Sequence, residues 1–118
     1  MSLTHYILVR RDLPLGVAAA MITHAAGESG ALYQDKDDGR FRHARAVVLE
    51  AKNEFALNKA AAKLHYNDIQ CVEIWENSGP YAEQLLAIGL VPIESAAVET
   101  IMEPFQTLKT LDKQGADG

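Results

Sequence analysis

The feature that most restricts this chain is an apolar run that passes, through a Pro/Gly turn, directly into an alanine-rich segment. Residues 5–10 read HYILVR. A compact run of β-branched and aromatic residues of this length predicts a buried strand. Pro14 and Gly16 punctuate the next stretch and mark the turn out of that strand. Five of the ten residues from Val17 to Ala26 are alanine, the residue with the highest helix propensity. Ala18, Met21, Ile22 and Ala25 fall at helical spacing and predict a face turned towards the sheet, with side chains small enough for close approach. Gly27 and Gly30 mark the region of the helix end.

A second strand-and-helix unit comes next. Residues 33–42 are polar, contain the turn signal Asp38-Gly39, and read as a surface loop. Residues 44–50, ARAVVLE, read as the second strand. Asn53 is placed to cap the next helix, in which Leu57, Ala60, Ala61 and Leu64 form an apolar stripe. Residues 65–68 read as its exit loop and residues 70–75, QCVEIW, as a third strand. A loop at 76–81 precedes a fourth strand at 84–91, which Pro92 ends. A third helix is predicted over 94–103, with Val98, Ile101 and Met102 inward and Pro104 as its stop. The order is β-α-β-α-β-β-α. Two β-α-β crossings favour parallel pairing. The link of about eight residues between strands three and four is short for a crossover, so that pair is expected to be antiparallel. The expected fold is α/β: one small domain at 1–111, a four-stranded, mixed, mostly parallel sheet with helices on both faces, and a frayed tail at 112–118.

Composition narrows the class. A chain of 118 residues with 48% hydrophobic and 23% charged residues suits one soluble globular domain. The single cysteine, Cys71, has no partner for an internal disulfide and no metal-ligand spacing around it, and reads as a buried core thiol. No run approaches the roughly 20 apolar residues of a membrane span, and the first residues lack the pattern of a secretory leader, so a cytoplasmic location without membrane attachment is expected. A net charge of -5 argues against a surface that grips nucleic acid everywhere, because phosphate binding needs clustered Lys and Arg. Two local basic patches remain: Arg10 with Arg11, and Arg40, Arg42, His43 and Arg45.

The strong catalytic motifs are missing. No GxGxxG or phosphate loop comes after the first strand, and no G-x-S-x-G elbow occurs. No HExxH or paired-cysteine pattern is present, so neither a metal nor a cofactor is expected. A constellation at the strand tips remains. Asp12 comes just after the first strand and Glu76 just after the third, both at carboxyl ends, where open α/β sheets bind ligands. A carboxylate there could orient water or act as general base. Thr23 and His24 lie in the first helix, and His has a pKa suited to proton transfer near neutrality. Each also has a purely structural reading: Asp12 as an acceptor for turn amides, His24 as a satisfied helix histidine, and Glu76 as a solvated loop residue.

Residues 10–26, RRDLPLGVAAAMITHAA, resemble the signature of type II peptidyl-tRNA hydrolases. In that family an Arg-x-Asp-Leu stretch leads through a loop with Gly and Lys to a helix of the form Lys-x-Ala-Ala-Gln-x-x-His-Ala-Ala. The likeness continues through ARAVVLEAKNEFALNKAAAKL and LLAIGLVPIESAAVETIMEPFQTLK, and covers roughly residues 5–109. In having an acidic segment after the third strand, the chain is most similar to the divergent peptidyl-tRNA hydrolase domain-containing proteins. Arg10, Asp12, Leu13, Gly16, His24, Ala25 and Ala26 match the pattern. Val17 stands at the family's lysine, Met21 at its glutamine, and Glu76-Asn77-Ser78-Gly79-Pro80 at its Asp-Ala-Gly-Arg-Thr segment.

The resemblance implies ester hydrolysis of peptidyl-tRNA by activated water without a cofactor. Asp12, His24 and Glu76 would serve catalysis. Arg10, Gly16, Thr23, Arg40, Arg42 and Arg45 would bind the substrate. The alternative is a diverged member that binds RNA, a small molecule or a protein partner without hydrolysis; a lysine at a helix start would hold phosphate or polarise an ester carbonyl, and valine does neither. A homodimer is compatible with both.

Overall fold

The computed structural model describes residues 3–33 and 44–108. The predicted turn at Asp38-Gly39, Arg40, Arg42, His43 and the predicted tail at 112–118 lie outside them.

Strand β1 (Leu3–Arg10) is the centre of the sheet. Helix α1 (Leu15–Leu32) returns along one face, and β2 (Arg45–Ala51) pairs with β1 in parallel. Helix α2 (Glu54–Tyr66) covers the other face. It leads to β3 (Cys71–Trp75) and, after a 3-10 turn at Gly79–Tyr81, to β4 (Leu85–Leu90). Then come β5 (Ile93–Glu94), a second 3-10 turn at Ser95–Ala97, α3 (Glu99–Met102) and β6 (Gln106–Thr107). The sheet order is β3-β4-β1-β2-β6, with β5 also on β1.

The sheet therefore has six strands among the described residues rather than the expected four, and it is not mostly parallel. One ladder, β1 with β2, is parallel; β4 is antiparallel to both β1 and β3, and β5 and β6 are antiparallel to their neighbours. The short β3–β4 link makes β4 antiparallel to β3, and because β3 runs parallel to β1, β4 between them is antiparallel to β1 as well. β5 and β6 are two residues each, too short to carry any periodicity. Pro92, expected to end the fourth strand, interrupts the ladder because it has no N–H, and pairing resumes on β1 at Ile93 and Glu94. The helix predicted over 94–103 contracts to Glu99–Met102, since its first residues belong to that strand and a 3-10 turn.

Alternation along β1 divides the core. Ile7 and Val9 join Ala18, Ala25, Leu86 and Ala87 under α1. Leu8 joins Leu49, Leu57, Ala60, Leu64 and Ile88 under α2. Asn53 caps α2, its side chain accepting from Ala56 N–H at 3.0 Å. α1 lies so close to β4 that a Cβ built on Gly89 would stand 2.3 Å from the Ala25 carbonyl oxygen and 2.6 Å from Ser29 Oγ. Ser29 Oγ in turn lies 2.7 Å from Nε2 of the buried His5. Cys71 is half-buried rather than a core thiol, because β3 is an edge strand; burial still pushes its pKa up to about 11.

Candidate functional site

The parallel β1 and β2 and the antiparallel β4 bring three chain segments to one end of the sheet: the carboxyl end of β1, the start of β4 and the start of α2. Arg10, the last residue of β1, is 6% exposed, and its guanidinium organises this end. Nε and Nη2 donate to the two carboxylate oxygens of Asp12 at 2.9 and 3.0 Å. Nη1 donates to Gln84 Oε1 at 2.8 Å and to the Leu85 carbonyl at 3.4 Å. The Tyr81 ring lies 5.9 Å from the guanidinium carbon, within cation–π range. The hydrogen bonding to Asp12 raises the pKa of Arg10 above its ordinary value; burial opposes this, and the charges of Asp12, Glu54 and Tyr81 reinforce it.

A fork-shaped donor such as Arg fixes a carboxylate in both position and plane. Asp12 is held in this way, yet its side chain keeps 42% of its surface exposed. Its oxygens can still accept from a water or substrate hydroxyl. Gln84 is fixed from a second direction. Glu83 takes a left-handed conformation, φ 63°, and its N–H donates to the Glu76 carbonyl at 2.7 Å. With Oε1 committed to Arg10, the Gln84 carboxamide presents its Nε2 protons as donors. Glu54 Oε2 accepts from Leu85 N–H at 2.8 Å and ties the start of α2 to the start of β4.

The predicted site residues separate into groups. Arg10 and Asp12 are in direct contact. Gly16 lies in the first turn of α1, exposed, with open space where a side chain would stand. The N-cap position is Pro14, which supplies no side-chain acceptor, so the first-turn amides have no side-chain cap. Glu76 lies at the same end of the sheet, on the far side of β4; its N–H donates to the Gln84 carbonyl, and its Oε1 accepts from Asn77 N–H at 3.1 Å. Thr23 and His24 lie elsewhere. Both are exposed, His24 stands about 13 Å along α1 from its start, and Thr23 Oγ1 donates to the Ala19 carbonyl. Arg45 opens β2 opposite Thr4, so it sits at the other end of the sheet, about 20 Å from the β1 tip. Arg40 and Arg42 are outside the described residues.

Sequence reasoning missed Gln84, Tyr81 and Glu54. A signal existed for Gln84, the one polar residue immediately before a strand whose six residues are all buried. Val17 and Met21, at the positions of the family's lysine and glutamine, pack against the apolar cluster under α1. No group of His, Cys, Asp and Glu among the described residues has an arrangement that could hold a metal ion. No helix among them is long and apolar enough to cross a membrane.

Comparison with known proteins agrees with this architecture. A solved structure of a protein of unknown function from Agrobacterium tumefaciens is similar, with a TM-score of 0.59 and 16% identity over 92% of this chain and 98% of that one. At that identity the likeness speaks to the fold alone. No curated protein matches the chain. The family model described as peptidyl-tRNA hydrolase PTH2 matches residues 3–108, a span that takes in β1, the Arg10–Asp12 pair, α1 and the β4 edge. The chain belongs to the peptidyl-tRNA hydrolase PTH2 family.

Proposed function

We propose that this protein hydrolyses the ester linking a peptide to the terminal ribose of tRNA, at the β1 tip. The observation that carries the reading is the exposed Asp12 carboxylate, locked by Arg10 beside the Gln84 amide at the carboxyl end of the central strand. Water is the nucleophile. Asp12 accepts a hydrogen bond from it and directs its lone pair at the acyl carbon. Gln84 Nε2 donates to the carbonyl oxygen as negative charge develops there. The bond from the acyl carbon to the ribose oxygen breaks. Asp12 takes one proton of the water and returns it to the ribose oxygen, which leaves as a hydroxyl; the other proton is released to solvent and the peptide leaves as a carboxylate. Arg10 keeps both polar groups aligned, Tyr81 backs the guanidinium, and Glu76 is a second carboxylate at the same end of the sheet. The uncapped first turn of α1 around Gly16 suits a phosphate of the acceptor end. Thr23 and His24 are exposed on α1 away from the β1 tip and take no part in bond cleavage in this reading. The protein acts without a cofactor.

Purified peptidyl-tRNA tests this. Asp12→Asn should lower kcat by about a hundredfold or more with the fold intact. Unchanged turnover in Asp12→Asn would remove the residue from the mechanism.

A second reading has its own support. Val17 and Met21 replace polar side chains with partly buried apolar ones that pack against the core. A member of the family that binds RNA or a smaller ligand without cleaving it fits that change. A folded wild type that binds peptidyl-tRNA and releases no peptide would select this reading.

A further inference from the structure

A cavity of about 360 Å³ lies at the end of the sheet opposite the Arg10–Asp12 pair. Its walls include Thr4 and Tyr6 of β1, Arg45 and Val47 of β2, and Ser95 and Glu99 from the segment after β5. Its volume is within the range of small-molecule sites, about 300–1,000 Å³. Thr4, Tyr6, Arg45, Ser95 and Glu99 all carry polar side chains, and among the described residues none of these groups has a hydrogen bond or ion pair; Arg45, Ser95 and Glu99 are exposed at its open rim, and Thr4 is buried at its base.

Thr4 is the most informative of them. It is 5% exposed, and its hydroxyl has no partner among the described residues. Yet no fully buried side-chain polar atom among the described residues is left without one. The hydroxyl therefore keeps its access through the cavity it lines. A buried hydroxyl loses stability unless something hydrogen-bonds to it, and here the partner must come from the cavity. Arg45 and Glu99 line the same space and do not bridge each other.

We propose that this cavity is a second binding site, for a zwitterion of α-amino-acid type. The ligand carboxylate takes the Arg45 fork, and its ammonium takes the Glu99 carboxylate. The hydroxyls of Thr4, Tyr6 and Ser95 satisfy the remaining donors and acceptors. The Tyr6 ring and Val47 receive a short side chain. A simple anion would face Glu99, and a simple cation would face Arg45, so a ligand with both charges fits best. The site is independent of the strand-tip chemistry.

The test is an amide-shift titration of the isotope-labelled full chain with L-alanine, and with acetate and methylammonium separately. The expected result is saturable shifts at the amides of Thr4, Arg45, Ser95 and Ala96. Acetate and methylammonium should each bind about tenfold more weakly or worse, and so should L-alanine to Arg45→Met and to Thr4→Val. The Asp12→Asn variant should bind L-alanine like the wild type. The absence of saturable shifts, shifts centred on Asp12 and Gly16, or equal binding by acetate would overturn the proposal. If Thr4→Val does not fold, the three wild-type titrations and Arg45→Met decide the matter.

Discussion

Arg10 is charged, nearly buried and satisfied on several sides, and this makes it the hinge of the proposed chemistry. Its place at the end of the first strand, with Asp12 just beyond it, is legible in the sequence, although the ion pair between the two is not read from it. Its pairing with Gln84 is not legible either. That contact spans 74 positions and depends on β4 running antiparallel beside β1, which no local pattern encodes. A second polar residue in the interior gives a pH prediction. His5 is 8% exposed, beside Ser29, and burial pushes its pKa below the ordinary value of 6.5. The unfolded chain then takes up a proton at higher pH than the folded protein does. Stability should be unaffected by His5 above 6.5 and should fall as pH drops through 6.5 towards the lowered folded value. Urea midpoints should therefore decline between about pH 7.5 and about pH 5.5, and decline less in His5→Gln. An equal decline in both proteins would locate the acid sensitivity elsewhere.

At the scale of elements, the long helices and the four main strands are legible, and the short elements after Pro92 are not. Helix α2 carries its stripe at Leu57, Ala60, Ala61 and Leu64, all buried, and begins where Asn53 announces it. Asn53→Ala should cost about 1 kcal/mol, read as a lower denaturation midpoint, because Ala56 N–H loses its acceptor. An unchanged midpoint would mean that the cap contributes nothing to α2. Helix α1 depends on the opposite kind of feature, a missing side chain. The approach of the Ala25 carbonyl and Ser29 Oγ to Gly89 leaves no room for a methyl group, and one of those two atoms belongs to backbone. Gly89→Ala should destabilise by about 1–3 kcal/mol as α1 is pushed off β4. A variant as stable as the wild type would mean that α1 packs less tightly on β4 than the structure has it. The sequence marks Ala18 and Ala25 as the close-packing face, but the matching glycine is visible only once β4 is known to lie beneath it. Strands β5 and β6 escape for a related reason: a two-residue strand is defined by its partner, not by its own residues.

At the scale of the molecule, one end of the sheet gathers Arg10, Asp12, Gln84, Tyr81 and Glu54, and the other opens a polar cavity around Thr4, Arg45 and Glu99. Family resemblance assigns the basic run that ends at Arg45 to the same substrate as Arg10. The parallel register of β1 and β2 sets Arg45 opposite Thr4, which separates the two by most of the strand length. A sequence can show that Arg10 and Arg45 are both basic, but only the register shows that these two stand at opposite ends of the sheet. The proposed reaction rests on water attacking the acyl carbon at the β1 tip. The most direct measurement is single-turnover hydrolysis of peptidyl-tRNA in oxygen-18-labelled water, with the peptide product analysed by mass. Attack by water at that carbon places one labelled oxygen in the released carboxylate, and Asp12→Asn should release little or no peptide. A folded wild type that releases no peptide, or a product carrying no label, would contradict the proposal.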